Sequence, residues 1–403
     1  MLRIATIASI LTAFCTPASA QSGDPIRIGI LADMAGVYAD DQGPGSVVGA
    51  QMAVEDYGGK AAGRKVEVVS ADHQNKTDLG AAIARRWLEN EGVSMIADLP
   101  NSAIALAVSE IVRDHNKVMM GSGAGTVLLT GAKCSPNTVH WTYDTWAYGH
   151  GAARALAQQG VKSVYFITAD YAFGHDLEKQ FAEEFTKQGG KVMGAARHPI
   201  GTSDFSSLLL QAQNSGAEAV AFANAGGDTS NSLKQAAEFG LGARLKLAAL
   251  IMGQNNVRAL GLKASQGILL LVPFYWDMND ATRDFARRFQ ARHPKHNMPN
   301  DMQAGVYAAV LHYLKAVDKA GGATDGKAVV AAMKAIPTDD PLFGKGSIRE
   351  DGRKLHPMYL FQVKSPAESK GDWDFYKLVT TIPGDQAFRP LAEGGCPLVA
   401  KQN

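Results

Sequence analysis

Residues 26–59 read IRIGILADMAGVYADDQGPGSVVGAQMAVEDYGG. The opening run, 26–31, is short and almost wholly apolar, the pattern of a buried strand. Gly43-Pro44-Gly45 then starts a segment, 47–57, whose apolar residues recur at helical spacing. The chain repeats this strand–turn–helix step. Strand runs at 65–71, 94–99 and 118–120 alternate with helical stretches at 77–91 and 103–112. The rhythm restarts with helix 145–159, strand 161–168, helix 176–188, strand 192–196, helix 205–214, strand 219–223, helix 232–239 and strands 245–251 and 267–272. Helices at 280–293 and 304–320 follow, then strands at 358–363 and 374–378 in a Gly/Pro-punctuated tail. Such alternation predicts an α/β protein with parallel sheets covered on both faces. It falls into two halves of similar size with no low-complexity linker, so the halves are expected to pack around a cleft. Ligands of open α/β sheets sit beyond the carboxyl ends of the strands.

The 403 residues hold 40 Lys+Arg and 39 Asp+Glu, which excludes a polybasic field for nucleic acid or anionic lipid. Three Cys exclude a disulfide-dense scaffold and a Cys-rich metal array. Residues 1–20, MLRIATIASILTAFCTPASA, carry one Arg, an apolar run and the small-x-small end Ala18-Ser19-Ala20, the form of a cleaved signal peptide. Phe14 before Cys15 departs from a lipoprotein site. No later stretch approaches about 18 uninterrupted apolar residues, so no membrane anchor is expected in the mature chain. Export leaves Cys134 and Cys396. Two exported cysteines are expected to pair, with buried free thiols as the alternative. A loop that long gives an upper estimate of roughly 5 kcal/mol in the chain-entropy model.

Reactive constellations are scarce. Gly321 to Lys327 has P-loop spacing, but Ala328 replaces the hydroxyl needed for Mg²⁺, and no strand precedes it. His293 and His296 are separated by the helix-breaking Pro294, so no metal site is expected. No G-x-S-x-G elbow occurs. A secreted α/β hydrolase therefore lacks a selected nucleophile. The strand ends instead carry aromatics, amides and hydroxyls: Tyr38, Asn101, Ser102, Thr126, Tyr171, Phe173, Asn224, Gln254 and Tyr275, with a cluster from His140 to Asp144 where one half passes to the other. Those groups suit holding a small molecule rather than reacting with it.

Five segments in order, 26–59, ADLPNSAIALAVSEI at 97–111, GSGAGTVLLT at 121–130, ITADYAFGHDLEKQF at 167–181 and ANAGGDTSNSLKQAAEFGL at 223–241, resemble periplasmic solute-binding proteins of ABC importers. The group resembled is the branched-chain amino-acid (leucine/isoleucine/valine-binding) type. The resemblance covers nearly all of 24–365. It implies the type I periplasmic binding protein fold, two Rossmann-like lobes joined by three crossovers that close like a flytrap. The expected division is 21–143 plus 275–354 for one lobe and 144–274 plus 355–403 for the other. The resemblance also implies a non-enzymatic periplasmic receptor without cofactor or metal, a monomer, that hands a small ligand to an inner-membrane permease.

By the same resemblance, Asn101, Ser102, Ala124, Gly125 and Thr126 should face the ligand from the first lobe. Tyr171, Phe173, Asn224, Ala225 and Asp228 should face it from the second, with Tyr38 and Asp41 at the cleft mouth and Tyr143, Gln254 and Tyr275 alongside. Amino-acid binders of this type hold the ligand ammonium with an acid after the strand that here is 245–251. This chain has Met252-Gly253-Gln254-Asn255-Asn256 there. An unpaired buried ammonium is costly, so the expectation is a small carboxylated solute, aromatic acids first. Asp228 could substitute for that acid, though Gly-Gly-Asp also suits a helix N-cap. The alternatives are branched-chain amino acids, short amides or urea, suggested by Gln254 and Asn255, and a sensor role.

Overall fold

The structure, a computed structural model, describes residues 23–400, so the targeting segment at 1–20 lies outside the described residues. In the first lobe β1 (Ile26–Ala32) leads through α1 (Gly43–Asp56) and a short β2 (Lys60–Ala61) to β3 (Arg64–Asp72), α2 (Thr77–Glu89), β4 (Val93–Asp98), α3 (Ser102–Asp114), β5 (Val118–Gly121) and β6 (Thr138–His140). These strands form one sheet in the order β2-β3-β1-β4-β5-β6, parallel except for the β2–β3 hairpin. Its central strands are buried, which is why they read as continuous apolar runs.

The second lobe repeats the plan. It runs α4 (Thr145–Gln158), β7 (Ser163–Ala169), α5 (Ala172–Lys187), β8 (Lys191–His198), α6 (Ser206–Asn214), β9 (Ala219–Ala223), α7 (Gly226–Glu238), β10 (Lys246–Ala249), α8 (Gln254–Leu260), α9 (Leu262–Ser265) and β11 (Leu269–Val272). The sheet β10-β9-β7-β8 is parallel. The chain then returns to the first lobe as α10 (Asp280–Arg292), α11 (Asp301–Ala320) and α12 (Gly326–Ala335). Phe285, Phe289, Tyr307, Tyr313 and Val329 from these helices share a core with Ile28, Ile30, Met95 and Met120 of the first sheet.

Small antiparallel pieces complete the fold. These are β12 (Thr338–Asp340), β13 (Gly344–Ile348), β14 (Lys354–Leu355), β15 (Met358–Val363) and β16 (Tyr376–Ile382). β11, β15 and β16 form their own antiparallel sheet, so the second lobe is not wholly parallel. The sequence pattern missed β6, α8, α12 and the β12–β14 ladder, all short or tied to distant partners. The P-loop-like spacing is the start of α12, where the Asp325 carboxylate accepts from the Ala328 N–H at 3.1 Å.

Two of the crossovers lie side by side. His140 N–H donates to Gly352 O at 2.9 Å, the Arg353 guanidinium donates to Tyr143 O at 3.1 Å, and His356 Nε2 lies 2.5 Å from Thr142 O. The Arg353 guanidinium also stacks over the Phe388 ring. This fully buried cation stitches the two connections into one hinge.

Cys134 and Cys396 are bridged, with Cα atoms 5.6 Å apart. The expected division placed the tail with the second lobe. The structure instead seats the bridge region on the first: Arg389 Nη2 donates to Val127 O at 3.2 Å, and Gly394 O lies against Gly131. A protein beginning at residue 21 should therefore take up no alkylating agent until reduced and two adducts afterwards. Cys396→Ser should lower stability by about 2–4 kcal/mol in chemical denaturation.

Candidate functional site

Residues that follow β1, β4 and β6 in the first lobe meet residues that follow β7, β9 and β10 in the second. Between them lie two cavities, of about 20 and 10 Å³. Asp41, Ala225 and Met302 line both. Tyr148, Gly226, Ile251, Met252, Gly253, Asn256, Val272, Asn300 and Asp301 complete the larger, and Tyr38, Gln42, Pro100, Tyr143, Tyr171 and Phe173 the smaller. A water needs roughly 10–15 Å³ by this measure, so a leucine- or benzoate-sized solute requires the lobes to part. Strand geometry is strained where β4 delivers the chain to the cleft: Asp98 and Leu99 hold φ at +79° and +62°. Such non-glycine conformations cost about 1–3 kcal/mol each and concentrate at functional sites.

Six of the residues named from sequence line these cavities: Tyr38, Asp41, Tyr143, Tyr171, Phe173 and Ala225. Gly125 lies just behind them, where a Cβ would stand 2.7 Å from the Phe173 ring. The others do not line the cavities. Asn101 caps α3, its Oδ1 accepting from Ala103 N and Ile104 N at 3.0 and 3.3 Å. Ser102 is buried with an unpartnered hydroxyl. Ala124 O meets His140 Nε2 at 2.6 Å, and the Thr126 hydroxyl donates to Asp176 at 2.7 Å. Asn224 is spent on His198, Ser232 and Thr229. Gln254 donates to Met298 O and Pro299 O, which leaves little for a ligand amide. The Tyr275 hydroxyl donates to Trp373 O at 2.6 Å and accepts from Phe375 N at 2.9 Å, inside the second lobe's core. Asp228 does not cap α7; its carboxylate accepts from Gly201 N at 3.1 Å.

The sequence reading missed Asp301, Asn300 and Gln42. It began the helix that carries Asp301 at 304. Asn300 caps α11 by accepting from Met302 N and Gln303 N, while Gln303 Oε1 accepts from Asn300 N. That Asn-x-x-Gln capping box was legible and would have placed Asp301 at a helix start.

The site's charge is one-sided. Among the described residues no Lys, Arg or His lines either cavity, while Asp41 and Asp301 do. Burial pushes the Asp41 carboxyl up to about 6, against hydrogen bonds from Asn255 and Asn300 that lower it. Burial pushes Asp301 up to about 7, with Asp41 adding repulsion. Beside the site, burial raises Asp98 to about 7 and Asp228 to about 6. Neither Asp98 oxygen accepts a well-formed hydrogen bond among the described residues. Across the cleft, α5 and α7 start without a side-chain cap at Tyr171 and Ala225, which line the cavities. Helix N-termini favour anions.

A folded carboxyl raised above its unfolded value stabilises the protein below the unfolded pKa, and that contribution is lost as pH rises to the folded pKa. For Asp301 the window runs from about 4 to about 7. Asp301→Asn should therefore stabilise the unliganded protein at pH 8, by about 2–4 kcal/mol, and much less at pH 4.5. Paired melts of wild type and variant at the two pH values measure this, because the buried histidines cancel between them.

The sequence matches the periplasmic binding protein family over residues 25–372. A crystal structure of a periplasmic binding protein from Burkholderia mallei is 47% identical, superposes with a TM-score of 0.90, and is matched over 99% of its length by 93% of this chain. A Leu/Ile/Val-binding protein homologue of Brucella abortus is 28% identical over 380 residues, 92% of this chain and 95% of its own. An ABC transporter solute-binding protein of Rhodopseudomonas palustris, solved in complex with p-hydroxybenzoic acid, is 26% identical with a TM-score of 0.80 over 90% of this chain and 98% of its own. The two-lobed α/β architecture, the opposed strand ends and these matches agree: the chain belongs to the periplasmic binding protein family.

Proposed function

We propose that this protein is the substrate-binding receptor of an ABC importer, that it works in the periplasm, and that it delivers a small carboxylated solute with an apolar or aromatic body to a membrane permease. No chemical step is needed: the ligand stabilises the closed arrangement through its contacts with both lobes.

The observation that carries the ligand class is the charge asymmetry of the cleft. Asp41 and Asp301 lie on one side with no cationic side chain in the lining, and the uncapped N-termini of α5 and α7 lie on the other. A zwitterion satisfies both, its carboxylate on the helix amides and its ammonium on the aspartates. Met252, Ile251, Val272, Tyr171 and Phe173 then take an apolar or aromatic side chain. The acid absent from the 252–256 segment is supplied in this reading by Asp41 and Asp301, from other parts of the chain. An amino acid with an apolar side chain fits this best.

An aromatic acid without an ammonium is the second reading. The tyrosine-rich wall and the p-hydroxybenzoic acid complex of the Rhodopseudomonas relative favour it. Here Asp301 would be neutral and donate to the ligand.

The pH dependence of affinity separates the two. Calorimetry with phenylalanine and leucine should show affinity rising between pH 5 and 8, as an ammonium binds ionised aspartates. With 4-hydroxybenzoate it should fall over the same range. Binding of 4-hydroxybenzoate alone, with falling affinity, selects the second reading. Phe173→Ala should weaken either class of ligand by about 1–3 kcal/mol through lost apolar burial; an unchanged Kd would remove this wall from the site.

A further inference from the structure

One short loop of the first lobe, residues 37–42, makes several of the direct contacts between the lobes, beside those of Thr126 and Val127 with Asp176 and of Gln254 with Met298 and Pro299. Tyr38 Oη lies 2.7 Å from Tyr171 Oη at the start of α5. Val37 O accepts from Gly227 N at 2.8 Å at the start of α7. Asn255 Nδ2, at the start of α8, donates to Asp41 Oδ1 at 2.9 Å and to Asp40 O at 2.7 Å. One loop thus grips three helix starts of the opposite lobe.

The loop is braced before it makes these contacts. The Asp33 carboxylate accepts from Gly36 N at 2.7 Å, Tyr38 N at 3.0 Å and Asn75 Nδ2 at 2.7 Å, all within the first lobe. The receiving surface is equally specific. Gly226 holds φ at +59°, and a Cβ there would stand 2.3 Å from Val37 O. A side chain at that position would hold the lobes apart.

Every one of these bonds joins protein to protein. We propose that loop 37–42 is a ligand-independent latch, with Tyr171 and Asn255 as positioning residues that hold the lobes together before any solute is captured. The unliganded receptor then populates the closed form, and because its cavities are too small for a solute, a ligand's apparent affinity is reduced by the fraction of protein held shut. Breaking one latch bond should therefore strengthen binding about 3–10-fold. The inference is independent of which solute the cleft takes.

The test uses the mature protein freed of ligand, as wild type, Tyr171→Phe, Asn255→Ala and the double variant. Tyr171→Phe keeps the ring that lines the cavity and removes only the hydroxyl. Small-angle scattering reads the lobe separation, and amide exchange at Gly227 reads the bond to Val37. The expected result is a compact wild type with a protected Gly227 amide, and a double variant that is larger and unprotected while its melting temperature stays within a few degrees. A wild type already as extended as the double variant overturns the proposal, and so does a double variant as compact as wild type. Neither arm contains a solute, so failure here leaves the proposed ligand class untouched.

Discussion

Closing two lobes over Asp41 and Asp301 places two carboxyl groups in a lining that contains no cation. A buried, unpaired carboxylate is among the most expensive groups a protein can hold, so it takes up a proton or finds donors. Here both outcomes are prepared. Asn255 and Asn300 donate to Asp41, one to a side-chain oxygen and the other to the backbone carbonyl. Burial raises both carboxyls toward neutrality. The closed cleft is thereby sensitive to the charge of what enters it.

The architecture makes that arrangement possible without dedicated scaffolding. Most strands of the parallel sheets end in loops that lead into helices, so several strand ends bring both a side chain and a helix N-terminus to the cleft. Where the first lobe caps its helix at Asn101, the amides are already used. Where the second lobe leaves α5 uncapped, no side chain takes its first amides, while α7 gives its Gly227 N–H to Val37 O. The polarity of the site therefore comes from which helices are capped. The hinge works on the opposite principle. Arg353 is wholly buried but has Tyr143 O, Lys354 O and the Asp144 carboxylate around it, so it ties the two adjacent crossovers together.

Much of the fold was legible because its strands are buried on both faces and its helices carry a regular apolar stripe. The boundaries of β1, α2, β9 and α10 follow from that pattern to within a few residues. The site was legible in part. Tyr38, Tyr171 and Phe173 stand at strand ends, where position alone makes them candidates. Asn224, Gln254 and Tyr275 stand at strand ends too, yet they hydrogen-bond within the protein, and no periodicity distinguishes the two groups. Asp301 was hidden because its helix was read as starting three residues late, although its capping box was present in the letters.

By itself the sequence determined the α/β class, the two-lobed organisation and the family, because these rest on local periodicity and on ordered motifs read along the chain. It also made the pairing of Cys134 with Cys396 an expectation, since two cysteines in an oxidising compartment leave few options. Only the tertiary structure decided which polar side chains face the cleft, that Asp41 and Asp301 meet there from segments 260 residues apart, and that one loop grips three helices of the opposite lobe. Those facts depend on distances between residues far apart in the chain. A side chain's availability is settled by its neighbours in space, which the order of residues does not contain.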